Sequence, residues 1–148
     1  MLIKNGTAAL TLNANNTYTG GTRINGDYLV PVYDDSFGTG TLSLNGGNIR
    51  ASTTRDVVLN NTVAVSANVT FGNLASEKSL TFAGPTTLFG STRTLTVNTG
   101  TTVAGKYINF AGPIGDNGNG YGITMAGTGT FYLEIIHIVE TLQLILEI

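Results

Sequence analysis

Three Asn-Gly pairs recur at an even interval near the start of the chain. Asn5-Gly6, Asn25-Gly26 and Asn45-Gly46 each follow the last by 20 residues. Gly and Asn both tolerate positive φ, the backbone state that a sharp corner requires. Between such corners the sequence alternates in short runs: Leu10-Thr11-Leu12-Asn13, Leu42-Ser43-Leu44-Asn45, Leu80-Thr81-Phe82 and Leu95-Thr96-Val97-Asn98. Each run reads as a short strand with an apolar face inward and Thr, Ser or Asn outward. Thr favours this because its branched Cβ restricts χ1 and fits a pleated surface. Gly20-Gly21, Gly84-Pro85, Gly112-Pro113, Asn117-Gly118 and Asn119-Gly120 add further turn signals. No stretch before residue 131 reads as a helix of ordinary length.

A corner every 20 residues suits a coil of strands that repeats and stacks. In a parallel β-helix successive coils lie about 4.8 Å apart, and inward side chains pile into apolar ladders. The chain of 148 residues would then make about seven coils of about 20 residues each. Asn-Gly is also the strongest hairpin signal. On the pattern alone, an antiparallel β-sandwich or barrel therefore stays open beside the solenoid.

Composition excludes several functions. Seven Lys and Arg stand against nine Asp and Glu, a net charge of −2. Nucleic-acid binding depends on clustered cations that neutralise phosphates, and here they are scattered singly. There is no Cys, which removes disulfides, thiolate metal sites and Cys nucleophiles together. A single His, His137, cannot make a His-based metal site. The apolar share of 41% with 11% charged residues is enough for a core and argues against disorder. Residues 1–6 lack the apolar run of an export signal. Residues 132–148 are too often interrupted by polar groups to read as a membrane-spanning helix.

Four segments together carry a resemblance. They are Leu2-Ile-Lys-Asn-Gly-Thr-Ala-Ala-Leu-Thr-Leu12, Asn16-Thr-Tyr-Thr-Gly-Gly-Thr22, Tyr28-Leu-Val30 and Phe37-Gly-Thr-Gly-Thr-Leu-Ser-Leu-Asn-Gly-Gly47. They resemble the autotransporter-associated β-strand repeat, also called the passenger-associated transport repeat. Arg93-Thr-Leu-Thr-Val-Asn98 and Gly118-Asn-Gly-Tyr-Gly-Ile-Thr124 are similar to the spacer between copies. The resemblance implies a right-handed single-stranded parallel β-helix from a secreted or surface-displayed passenger of a Gram-negative-type bacterium. It implies a scaffold that supports export and adhesion, with neighbouring repeats of the same passenger as partners and a host surface or glycan as a further one. It implies no enzyme, no cofactor and no metal. A polysaccharide-binding or polysaccharide-cleaving β-helix is the alternative.

Residues 1–133 are expected to form the β-helix segment, one repeat plus the start of a second. Leu2 to Leu12 is echoed by Ile123 to Leu133 at an offset of 121 residues, with Gly6 matching Gly127 and Leu10 matching Phe131. Residues 134–148 lack Gly, Asn and Pro and depart from the family pattern. Their apolar spacing fits a strand and a capping helix alike.

No catalytic constellation emerges. Asp34-Asp35 is the one adjacent acidic pair, and a turn-like setting before Phe37-Gly38 makes it a solvated loop rather than a carboxylate dyad or calcium site. Asp116-Asn-Gly-Asn-Gly120 is a turn. An EF-hand needs Asp or Asn at its third and fifth positions and Glu at its twelfth, where this chain has Gly118, Gly120 and Gly127. His137, between Ile136 and Ile138, reads as an outward strand residue. Gly38-Thr-Gly-Thr and Gly127-Thr-Gly-Thr lack the Lys and helix of a phosphate loop. Phe71, Phe82, Phe89, Phe110 and Phe131 read as inward ladder residues rather than a sugar-stacking platform, and Tyr18 as a corner residue packed on Gly20-Gly21. The sequons at Asn5, Asn15, Asn60 and Asn68 carry no assigned role.

Overall fold

A computed structural model of the chain describes residues 1–72, 76–98, 106–133 and, as backbone, 144–146. The first two coils hold two strands each, β1 (Leu2–Lys4) with β2 (Leu10–Leu12), then β3 (Thr22–Ile24) with β4 (Leu29–Pro31). Later coils hold three. They are β5 (Leu42–Leu44), β6 (Asn48–Ile49) and β7 (Val57–Leu59); β8 (Val63–Val65), β9 (Val69–Phe71) and β10 (Leu80–Phe82); β11 (Thr86–Leu88), β12 (Arg93–Val97) and β13 (Ile108–Phe110); and β14 (Ile114–Gly115), β15 (Ile123–Gly127) and β16 (Phe131–Leu133). A last strand, β17 (Leu144–Leu146), runs parallel to β15. Among the described residues there is no helix.

These strands stack into three walls. The first is β1-β3-β5-β8-β11-β14, the second β2-β4-β6-β9-β12-β15-β17, and the third β7-β10-β13-β16. Every pairing among the described residues is parallel, from β1 with β3 to β15 with β17. The molecule is therefore a parallel β-solenoid, and the antiparallel sandwich does not describe it. About five full turns separate β1 from β14, fewer than the seven expected. The reason is the growing step along the first wall. Leu2 pairs with Thr22, Thr22 with Leu42, Leu42 with Val63, Val63 with Thr86 and Thr86 with Ile114, steps of 20, 20, 21, 23 and 28 residues.

The Asn-Gly corners explain the even early steps. The Asn25 amide donates to the Asn5 side-chain oxygen at 2.9 Å, and the Asn45 amide to that of Asn25 at 3.2 Å. Ser66 continues the column by donating to Asn45. Beside this amide ladder the coils stack backbone on backbone. A Cβ on Gly26 would lie 2.4 Å from the Gly6 carbonyl oxygen, and one on Gly47 would lie 2.1 Å from that of Gly26. Asn links the corners and Gly allows them to close. The same logic holds on the return to the first wall, where a Cβ on Gly112 would lie 2.2 Å from the Gly84 carbonyl.

The interior is filled by columns in register. Ile24, Leu44, Val65 and Leu88 form one in the first wall, and all are buried. Lys4 heads this column, its stem enclosed and its ammonium turned back to the carbonyls of Asn5 (3.0 Å) and Gly6 (2.7 Å). An aromatic column crosses to the third wall. Phe82 stacks on Phe110 with ring centroids 4.5 Å apart, and Phe71 meets both edge-on. Phe131, half-buried, packs on Phe110 at 5.5 Å. Phe37 is also fully buried.

Phe89 departs from the expected ladder: it is 43% exposed. Leu88, its neighbour on the chain, already points inward, and adjacent residues of a strand face opposite ways. The two halves of the internal similarity also occupy different walls. Residues 2–12 run from the first wall to the second, whereas residues 123–133 run from the second to the third.

Candidate functional site

The Asn16-to-Thr22 segment stands where the third wall is missing, on the path from β2 to β3. The Asn16 N–H donates to the Asp35 carbonyl at 3.0 Å, and its side-chain amide to the Ser36 carbonyl at 2.7 Å. The Thr22 hydroxyl is buried and donates to the Phe37 carbonyl at 3.2 Å. With that proton committed, the Tyr18 hydroxyl donates to Thr22 Oγ1, 2.6 Å away. Tyr18 lies over Gly38 of the next coil, where a Cβ would fall 2.2 Å from the Tyr18 carbonyl oxygen and 2.9 Å from its ring. A Cβ on Gly20 would meet Met1, and one on Gly21 would meet Thr41. Gly21, at φ +80°, needs both its conformation and its missing side chain. Asn16 and Thr22 thus bind this coil to the next, and Tyr18 braces Thr22 from within the segment.

Residues 2–26 match the family model of the Passenger-associated-transport-repeat. The repeat match spans the first coil, the Asn16–Thr22 corner and the start of the second coil. No curated protein and no solved structure matches the chain.

Asp34 and Asp35 sit in the turn after β4, as expected. They do different things. Asp34 accepts the Val58 N–H at 2.9 Å and lies 3.7 Å from Arg55, whereas the Asp35 carbonyl accepts from Asn16 and Gly38. Asp116 is only 5% exposed and closes its own turn. Its carboxylate accepts the N–H of Gly118 at 2.9 Å and of Tyr121 at 2.6 Å. Burial by itself raises its pKa, but the backbone donors of Tyr121, Gly118 and Gly120 outweigh it and hold the carboxyl below the ordinary aspartate value. Asn117 takes positive φ (57°) to make this possible. Among the described residues no three His, Cys, Asp or Glu side chains gather as metal ligands. His137 lies outside the described residues.

Sequence reasoning missed two features. Asp56 accepts the Ser79 N–H at 2.7 Å and pairs with Lys106 at 3.1 Å. The Ser79 N–H lowers its pKa most, burial opposes it, and Lys106 and Lys78 lower it further, so the carboxyl lies below the ordinary aspartate value. The second is a groove of about 270 Å³ on the outer face of the second wall, lined by Thr11, Asn13, Val30, Val32, Arg50 and residues 52–54. Arg50 reaches the buried Glu77 at 3.4 Å and lies over the Tyr28 ring at 5.4 Å. Both features join residues about 20 or more positions apart, and no local motif announces them.

Proposed function

We propose that the chain is a structural segment of a surface-displayed passenger from a Gram-negative bacterium, a scaffold that supports export and adhesion. The observation that carries this reading is the seat of the repeat match. Within it Asn5, Asn16, Thr22, Asn25, Gly21 and Gly26 serve coil-to-coil contacts, which is what a rod needs and a catalyst does not. Neighbouring repeats would continue the stack, since each coil of a solenoid contacts chiefly the coils beside it.

The test is display. The chain is placed between an export signal and an outer-membrane anchor, and protease-accessible protein on intact cells is measured. The wild-type chain should be displayed. Gly47→Ala, which forces a Cβ against the Gly26 carbonyl, should reduce display several-fold. Equal display of the two would count against a scaffold role for the stacked coils.

The groove supports glycan binding as a second reading. Val30 and Val32 offer an apolar floor for the C–H face of a sugar, and Thr11, Thr53, Thr54 and Arg50 offer hydrogen-bonding groups. No carboxylate is among its described lining residues, so cleavage there would lack the pair of acidic groups that glycoside hydrolysis uses. Retention on immobilised polysaccharides that is lost in Thr11→Ala/Thr53→Ala would favour this reading, and no retention on any of them would remove it.

A further inference from the structure

Five Asn-Gly pairs stand in the chain, beginning at Asn5, Asn25, Asn45, Asn117 and Asn119. Such a pair can react with itself. The glycine nitrogen attacks the side-chain carbonyl carbon of the asparagine, and glycine has no Cβ to obstruct the approach. All five asparagines are exposed, so exposure does not rank them. Their hydrogen bonds do. Asn25 donates to Asn5 at 2.9 Å and accepts from Asn45 at 3.2 Å, and Asn45 accepts in turn from Ser66. For either side chain to swing onto its glycine, ladder bonds on two sides must break. Gly26 is also pressed against the Gly6 backbone. Asn119 is held as well, its amide donating to the Asp116 carbonyl at 2.7 Å. Asn117 differs from all of these. Its side chain makes no hydrogen bond among the described residues, and its φ of 57° is a backbone state uncommon outside glycine. A Cβ on Gly118 would meet nothing within 4 Å, so the space around the attacking residue is open. The Gly118 N–H points at Asp116 Oδ1, 2.9 Å away. That bond lies in the peptide plane and leaves both faces of the nitrogen free. Its acceptor is a carboxylate at the distance a proton-accepting group requires.

We propose that Asn117 is the site at which the folded chain deamidates spontaneously, and that the amide ladder protects Asn25 and Asn45 from the same reaction. The Gly118 nitrogen forms a bond to Asn117 Cγ. Its proton passes by way of the Asp116 carboxylate to the side-chain nitrogen, the Cγ–Nδ2 bond breaks, and ammonia leaves. The product is a succinimide ring. Water then adds to one of its two carbonyls, and the ring opens to aspartate or isoaspartate at position 117. Water is the co-reactant, and no electrons change hands. Either product places a second carboxylate beside Asp116, in the turn between β14 and β15, and leaves the ladder of the early coils unaltered.

The experiment uses the full chain and needs no ligand. Folded protein is held in mildly alkaline buffer beside a sample kept unfolded in guanidinium, and peptide mass spectrometry follows the amide-to-acid conversion at each pair. In guanidinium the five should convert at similar rates, since glycine follows every one. In the folded chain Asn25 and Asn45 should slow by about tenfold or more, the factor for one hydrogen bond of ordinary strength, and Asn117 should convert first. Asn117 converting no faster than Asn25 in the folded chain would overturn the proposal without any variant. Asn117→Gly suits the positive φ and removes the reactive amide, so the early conversion should vanish; an early gain of the same size at another pair would overturn the assignment. Asn5→Ala/Asn45→Ala strips both partners from Asn25 on an exposed face. Conversion at Asn25 should then rise toward its rate in guanidinium while that at Asn117 stays at the wild-type value. An unchanged rate at Asn25 would overturn the protective role of the ladder.

Discussion

Thr86 stands in an apolar column, between Val63 and Ile114, with its hydroxyl buried and without a hydrogen-bond partner among the described residues. A buried hydroxyl left unsatisfied costs about 1–3 kcal/mol. Thr86→Val keeps the shape and removes that cost, so denaturant unfolding should show a gain of about 1 kcal/mol; a loss would mean that the hydroxyl has a partner. Asp56 and Asp116 act in the opposite sense, as polar groups that are well satisfied. Both have pKa values below the ordinary aspartate value. The folded chain therefore holds these protons less tightly than the unfolded chain, where the pKa is about 3.9. Their contribution is complete above about pH 4 and is lost as pH falls through the folded values. Thermal midpoints should drop on acidification below about pH 4, less steeply in Asp116→Asn; a midpoint that holds or rises there would contradict this. At this scale parity was legible and partnership was not. Alternation places Leu80 and Phe82 inward, and by the same rule it would have turned Phe89 outward beside Leu88. Nothing in Asp34-Asp35 shows that one of the two reaches Val58, 24 residues on.

Strands and corners contribute to stability in unequal measure. Phe110 touches Phe71, Phe82 and Phe131 in the aromatic column, so Phe110→Ala should cost about 3–5 kcal/mol. Asn25 sits in the amide ladder on the exposed face, where water replaces lost partners, and Asn25→Ala should cost no more than about 1 kcal/mol. Equal losses in parallel denaturant titrations would contradict a core built of inward columns. The strands were legible because three alternating residues suffice to define an inside and an outside. The corners were legible because Asn-Gly, Gly-Pro and Gly-Gly are residues that let backbones approach closely. The two-stranded form of the first coils was not legible. It depends on Phe37 and the Tyr18–Thr22 contact filling the place of a third strand, a long-range substitution that no local pattern encodes.

Among the described residues the walls differ in extent, with six strands in the first, seven in the second and four in the third. The step between coils grows from 20 to 28 residues along the first wall, as later coils gain a third strand and β12 lengthens to five residues. That growth is why an extrapolation from the early corners overcounts the coils. The early part, by contrast, keeps strict time: Leu2, Thr22 and Leu42 stand directly above one another. The length of this rod is consequently quantised. Copying residues 22–41 in tandem would splice one rung between two matching Asn-Gly joints and lengthen the particle by about 4.8 Å. A copy half as long would leave every later side chain beside the wrong neighbour. Small-angle scattering and melting of the two insertions should separate an elongated, cooperative fold from a collapsed one, and in that sense gene duplication in whole rungs is a route by which such a rod can be lengthened without being redesigned.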